Sequence, residues 1–556
     1  MKIALTPVVA VVVSLHVVAA AEGQTTTRVS LAPDGSPPDV DCDSAAISGD
    51  GDWVAFVSAA TNLAPVDATF NRNVFVVDRA TGTVSLESVS SAGVEADGPC
   101  FSPRISSDGR YLVFDSEATN LVAGEIPPRR MVYLRDRATG TTTRVSRTPS
   151  GGFPGDRCYV DQITDDGRFI AYESSASDIV AQVNVAGFLD VFTYDTQVGA
   201  TDLASVADDE QFGNGNSLLG DLSQDGRFVV FESDADNLVT GDQNDHFDIF
   251  LRDRQLGTTT RVTMGYDGLE PTLDARSPRI SADGRWVVYD SQAGNLAPND
   301  SNYVDVFLWD RITGVAEVES LASDGTPGDD ESKNADVSDD ARFIVFESSA
   351  SNFAPFEHSR NRDIFVRDRL LGTTEWATTI GTGSANDGNS YGAVCSADGR
   401  AVAFRSSASD LVPGDSGQGV DVFVREWPRS AAAWSNYGTG FAGRYGVPAF
   451  TAEDAPHLGM TLDLDIENSA GSWTFGFLFV GVDAIDVPTS LGGELLVLPL
   501  LIVAVPLPPT GWVESDDLPN DPTLAGLPVY TQVLELDPWA KRGWSFTAGL
   551  ELDLGY

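Results

Sequence analysis

The stretch Ile280–Ser291 reads ISADGRWVVYDS, and relatives of it occur six more times in the 556-residue chain. Counted from the first Ser or Thr, the copies start at Ser48, Ser106, Thr164, Ser223, Ser281, Ser338 and Ser396, in steps of 58, 58, 59, 58, 57 and 58 residues. A fixed period longer than a usual solenoid unit points to a repeated sheet unit. Each copy continues with Asp two residues on, then Gly (Ala341 in the sixth), then Arg (Asp52 in the first). Asp-Gly is turn chemistry, because Gly takes positive φ without a Cβ clash and Asp bonds its own backbone. The run that follows, RWVVYDS or RFVVFES, is rich in β-branched and aromatic residues and predicts a short strand.

The remainder of the period is equally regular. Fourteen residues after each Ser or Thr stands Asn62, Asn120, Asp178, Asn237, Asn295, Asn352 or Asp410. A further strand follows, as DIFLRDR from Asp248, DVFLWDR from Asp305, DIFVRDR from Asp363 and DVFVRE from Asp421. Another comes after a Gly turn, as TTTRVS at Thr141 and TTTRVT at Thr258, and a fourth leads back into the next Asp-Gly turn. Four strands per unit make one propeller blade. From each DIF-type position to the next Ser or Thr is 33 residues, so length varies only just before it: 11 residues from Asn237 to Asp248, 12 from Asp178 to Asp190 and 10 from Asn295 to Asp305. One adaptable loop per blade on a constant scaffold suggests variation at one rim.

The seventh unit stops after DVFVRE and lacks its outermost strand, while TTTRVS at Thr25–Ser30 precedes the first unit without one of its own. This N-terminal strand is expected to complete blade seven and remove the open sheet edges. The fold class is all-β: a seven-bladed β-propeller in residues 22–426, a linker at 427–434 and a C-terminal β-sandwich at 435–556. The repeats resemble the WD40-like units called PD40, found in TolB-type and tricorn-type propellers, and NLVPGD...DVFVRDR...GTTTRVS is similar to a secreted bacterial branch of that family. The resemblance spans about three quarters of the chain and implies the fold and an extracytoplasmic setting. It transfers no catalytic residue, because the shared motif is turn and core. TolB itself has six blades and an added N-terminal domain, so its partners are not carried over.

Met1-Lys2, the apolar run Ile3–Ala20 and the small residues Ala19-Ala20-Ala21 before Glu22 read as a secretory signal over residues 1–21; a retained anchor is the alternative. The run LLVLPLLIVAVPLP from Leu495 is interrupted by proline and short for a bilayer, so buried strands are expected there and no stable membrane span remains after cleavage. The formal charge is -47, from 82 acidic against 35 basic side chains. Nucleic acid is disfavoured as a partner, since its phosphates would be repelled. Several arginines recur after Asp-Gly, where pairing with carboxylates is a structural duty.

Cys42, Cys100 and Cys158 lie six residues before the repeat Ser or Thr, where Ser217, Ala275, Ser332 and Ser390 stand in the other units. The position requires a small residue; a bridge such as Cys42 to Cys100 is the alternative, and Cys395 lies elsewhere. Beyond Asn436, alternating runs separated by Pro, Gly and Asp predict an antiparallel sandwich of six to eight strands. The YGTG phrase at its start resembles C-terminal modules of many secreted bacterial proteins, which often carry Cys where Phe441 stands.

Gly388-Asn389-Ser390-Tyr391-Gly392 matches GxSxG, but a nucleophile elbow needs a strand-to-helix turn, whereas Ser390 occupies the small repeat position entering an inner strand. Gly414-Asp415-Ser416-Gly417 resembles a serine-protease loop, yet neither Ser has a justified partner among His246, His358 and His457. No catalytic constellation emerges. The variable loops carry oxygen ligands, namely Asp242, Asn244 and Asp248; Asp300, Asn302 and Asp305; Asp415 and Asp421. Such sets suit Ca²⁺, although Asp, Asn and Gly also serve any tight loop. The loops entering the inner strands add Asp39, Asp41, Asp43, Asp97, Asp156, Asp329, Asp330 and Asp387 as candidates for a ligand-binding face. The expected function is a secreted or periplasmic, non-catalytic scaffold binding a protein, peptide or glycan on this acidic face. A carbohydrate-active enzyme using channel carboxylates and a cell-envelope protein attached through its C-terminal domain are the alternatives.

Overall fold

The computed structural model describes residues 25–427, apart from 65–70, 183–186, 299, 302, 355–360, 370, 381–385 and 414–418. Beyond these it describes eleven strands between 433 and 553, with some of the turns that join them. The segment read as an export signal lies outside the described residues, and no described helix is long and apolar enough to cross a membrane.

Thr25–Trp427 forms one compact unit containing seven four-stranded antiparallel sheets. In the fifth, the inner strand Ala275–Ile280 pairs with Trp286–Ser291, then Asp305–Asp310, then the outer strand Val315–Val318. The seventh sheet holds Ser390–Cys395, Ala401–Ser406 and Asp421–Glu426, and its outer strand is Thr25–Arg28, in register from Thr25 opposite Glu426 to Arg28 opposite Phe423. Inner strands pack against their neighbours in a closed cycle, the seventh against the first. The Ala397 amide donates to the Gly49 carbonyl across that junction at 3.0 Å. The domain is a β-propeller closed by its N-terminal strand, as the displaced TTTRVS phrase requires.

Three repeated devices specify it. The turn Ser or Thr donates to the turn Asp and accepts a later amide, as Ser281 does with Asp283 at 2.6 Å and Trp286 N at 3.0 Å. The Arg after the turn forks onto the last Asp of the third strand, as Arg285 does on Asp310 at 3.0 and 2.9 Å. Within each blade, one aromatic of the second strand stacks on its register partner in the third, from Phe56 on Phe75 at 5.7 Å between centroids to Phe404 on Phe423 at 5.8 Å. Such pairs contribute about 0.5–1.5 kcal/mol each beyond buried area.

Blades are also keyed to one another. Gly284 adopts φ 68°, and a Cβ there would lie 2.3 Å from Phe228 of the preceding blade. Phe228 is in turn held between Arg227 of its own blade and Arg311 of the next, at 4.6 and 4.2 Å from the ring centroid. In six of the seven inner strands the third residue is left-handed, at Ser44, Ser102, Leu219, Ser277, Asn334 and Gly392. The ladder shifts register after the second residue of each of these strands. A bulge turns backbone amides out of the ladder, and in four of these strands a carboxylate of the preceding blade caps the amide, as where Ser277 N donates to Glu232 at 2.8 Å and Asn334 N to Asp290 at 3.0 Å, whereas Ser44 N donates to Asp43 of its own strand.

The second unit contains strands from Ala433–Tyr437 to Gly549–Asp553, arranged as a six-stranded, a three-stranded and a two-stranded sheet. Residues of the two larger sheets share one apolar core, including Phe450, Leu464, Leu478, Val533 and Leu552. Glu535 is buried there and accepts bonds from Ser469 and Ser545. Eleven strands exceed the expected six to eight, because several are only three to five residues long.

Candidate functional site

The loops entering the inner strands and the turns after the second strands meet on one rim. Asp39 accepts the Thr61 amide at 2.8 Å and its hydroxyl at 2.7 Å, while its own amide donates to Asn62 Oδ1 at 3.1 Å. Asp97 binds Thr119 and Asn120, Asp329 binds Ser351 and Asn352, and Asp387 binds Ser409 and Asp410 in the same way. The recurrent Asn or Asp fourteen residues after each turn Ser is therefore a rim clamp. Both carboxylate oxygens of these four candidates are used inside their own blades. Hydrogen bonds from Ser409 hold the Asp387 carboxyl below the usual range.

The other rim candidates are also dispersed. Asp41 accepts Val420 N at 3.1 Å, Asp330 accepts Glu331 N at 2.8 Å, and Asp156 binds Arg157 N, the Ser175 hydroxyl and Arg129. Asp43 pairs with Arg72 at 2.7 Å and with Arg405. The structure does not converge these acids on one point.

The variable-loop acids sit beside the outer strands. The first residue of the third strand accepts a hydroxyl from the outer strand's end: Thr263 donates to Asp248 at 2.6 Å and accepts Ile249 N at 3.2 Å. Ser30 repeats this across the ring closure, donating to Asp421 at 2.8 Å and accepting Val422 N at 3.0 Å. Asn244 donates to Asp248 at 3.0 Å, Arg261 pairs with Asp242 at 3.0 Å, and Arg28 pairs with Asp421 at 3.0 Å. An arginine thus already neutralises Asp242 and Asp248 in blade four and Asp421 in blade seven. In blade five, Asp305 accepts the Ser320 hydroxyl at 2.7 Å, and Asp300 is pushed up to about 8 by burial and by the neighbouring Asp305 carboxylate. Asn302 and Asp415 lie outside the described residues. Among the described residues, no group of three or more His, Cys, Asp or Glu side chains is placed to hold a metal.

The central channel encloses a cavity of about 140 Å³ at the turn end of the inner strands. Its polar lining includes the residue two before the repeat Ser or Thr, which is Arg104, Gln162, Asp221, Arg279 and Asp336 in blades two to six, together with the turn residues Asp165 and Asp339. Asp221 accepts Ile280 N at 2.9 Å and Asp336 accepts Cys395 N at 3.0 Å, so these acids join neighbouring blades. Burial, with Asp165 nearby, raises Asp339 to about 7. The sequence reading missed this ring, although its signal was available: the position changes chemistry from blade to blade while its neighbours stay constant.

Ser390 is buried in its inner strand and donates to Ser406 Oγ at 2.9 Å, a core role rather than a nucleophile's. Cys42, Cys100 and Cys158 are free buried thiols, raised to about 12 by burial. His246 pairs with Asp274 at 3.2 Å, and His358 and His457 lie outside the described residues.

Among the described residues one rim loop differs from the rest. Residues 264–274 expose Met264 (40%), Tyr266 (65%), Leu269 (64%) and Leu273 (41%), and Tyr303 (44%) is exposed on the variable loop of blade five. The loop is held over two blades, through Gln243 N to Glu270 at 2.9 Å and Tyr266 N to the Asn295 carbonyl at 3.0 Å.

No protein-family model and no curated protein sequence matches the chain. Solved propellers do resemble it. A TolB-type protein from Agrobacterium tumefaciens is 16% identical with a TM-score of 0.34, covering 63% of this chain and 95% of its own. The WD40 domain of SCAP from fission yeast is 10% identical at 0.33, covering 73% and 98%. The periplasmic gluconolactonase PpgL of Pseudomonas aeruginosa is 16% identical at 0.30, covering 64% and 92%. The propeller assignment rests on the strand pairing itself, and no activity is transferred from these proteins.

Proposed function

We propose that the protein is a non-catalytic binding scaffold in an extracytoplasmic setting, holding a protein or peptide partner on the propeller rim around residues 264–274. The supporting observation is the concentration of exposed Met264, Tyr266, Leu269 and Leu273 on that one loop. Contiguous exposed apolar and aromatic side chains mark interaction surfaces, and tyrosine is enriched at their energetic centres. Asp267, Glu270 and Asp274 lie among them, and a chain of charge -47 favours a partner with basic side chains. The extracytoplasmic setting rests on the apolar run Ile3–Ala20 and its small-residue cleavage site.

The test is calorimetry of the whole protein against panels of basic, apolar-rich peptides and of glycans. A peptide should bind, and Tyr266→Ala with Leu269→Ala should weaken it at least tenfold, about 1.4 kcal/mol. Binding that both variants leave unchanged, a glycan as the only ligand, or chemical turnover of any panel member would overturn this reading.

A further inference from the structure

The last residue of the outer strand occupies one equivalent place in every blade, opposite an aromatic of the third strand: Arg144 opposite Tyr133, Arg261 opposite Phe250, Val318 opposite Phe307 and Arg28 opposite Phe423. Glu125, Asp242 and Asp300 are likewise equivalent, each five residues after the rim-clamp Asn. In blade two, Arg144 binds Glu125 at 2.6 and 3.2 Å. In blade four, Arg261 spans Asp242 at 3.0 Å, Asp248 at 3.5 Å and Glu270 at 2.9 Å. Blade five keeps both acids of blade four, Asp300 and Asp305, but Val318 replaces the arginine.

The loss leaves a measurable defect. Both oxygens of Asp300 are shut off from solvent, and among the described residues no hydroxyl or guanidinium side chain donates to either. Asp305 is fully buried, with one oxygen on the Ser320 hydroxyl at 2.7 Å and the other on the amide and hydroxyl of Ser301 at 3.1 and 2.5 Å. Two adjoining buried carboxylates stay ionised together only if a positive charge compensates them. We propose that blade five binds a hard divalent cation of the Ca²⁺ class between Asp300 and Asp305, in the place that the Arg261 guanidinium fills in blade four. The donors are all oxygens, from two carboxylates and the Ser301 hydroxyl, which suits Ca²⁺ and disfavours thiolate- or imidazole-seeking metals.

The experiment titrates CaCl2 into the full chain after EDTA treatment and follows heat and thermal unfolding. Calcium at 1 mM should raise the propeller's melting temperature by about 3 °C or more, by mass action on the folded state. Asp300→Asn should abolish the rise. Val318→Arg should raise the melting temperature without calcium and remove the response to it, reproducing blade four. An equal calcium shift in wild type and Asp300→Asn would place any cation elsewhere and overturn the proposal. So would the absence of a shift in wild type; stability that then falls as pH rises from 4 to 8 and levels off above it would show a shared proton doing the work instead. Rim-partner binding is read separately with the Tyr266 and Leu269 variants, so failure of one reading leaves the other intact.

Discussion

Ala341 shows what the Asp-Gly turn demands of a single residue. It takes φ 54° where the other blades place glycine, and it is fully buried. A left-handed non-glycine residue costs about 1–2 kcal/mol, part of which glycine gives back through its freer unfolded chain. Ala341→Gly should therefore stabilise by up to about 1 kcal/mol, whereas Gly284→Ala, which adds both the strained φ and the clash with Phe228, should cost about 2–4 kcal/mol; urea unfolding measures both. Asp290 gives a pH prediction. Burial raises it to about 6, above the ordinary 3.8, so folding favours its protonated form and that contribution is fully present below pH 4 and lost as pH rises through 6. The melting temperature of Asp290→Asn should gain on wild type between pH 4 and pH 7; a constant difference would contradict the burial. At this scale the sequence was half legible. Asp-Gly-Arg announced its turn and its ion pair, but Asp39 and Asp97 looked like ligands because their partners, Thr61 and Thr119, lie 22 residues away.

Between elements, one repeated tie is the hydroxyl that joins the outer strand to the head of the third. Thr263 satisfies Asp248 and the Ile249 amide at once, all buried. Thr263→Val keeps the shape and deletes both bonds, so it should cost about 2–4 kcal/mol, while Thr263→Ser should cost under about 1.5 kcal/mol. Blade strands were easy to read because each carries β-branched and aromatic residues between fixed turns. The C-terminal strands were undercounted because elements as short as Phe450–Ala452 and Trp544–Phe546 hold too few residues for alternation to register. The channel ring shows in the sequence only as one position whose chemistry changes from blade to blade; its side chains come from separate strands, and no local pattern says that Arg104 and Arg279 share a cavity.

For the whole molecule, period and displaced phrase together were enough to predict closure, since only a ring gives seven equivalent units no free edge. Val29 donates its amide to Val422 at 2.9 Å beside the Thr25–Arg28 ladder. Val29→Pro removes that bond and should release the strand. Limited proteolysis should then cut near Leu31, and light scattering should show oligomers formed through the bared edge of blade seven; a monomeric, protease-resistant variant would contradict the closure. The same latch sets an order of events during synthesis. An ordinary outer strand meets its neighbour as soon as it emerges, with Thr263 only 15 residues from Asp248, but Ser30 must wait for Asp421, 391 residues later. Closing the longer loop costs about 3 kcal/mol more in chain entropy, and until it closes both flanks of the growing array are bare. The nascent propeller therefore spends nearly all of its synthesis as an open arc, and the first strand made is among the last to find its place.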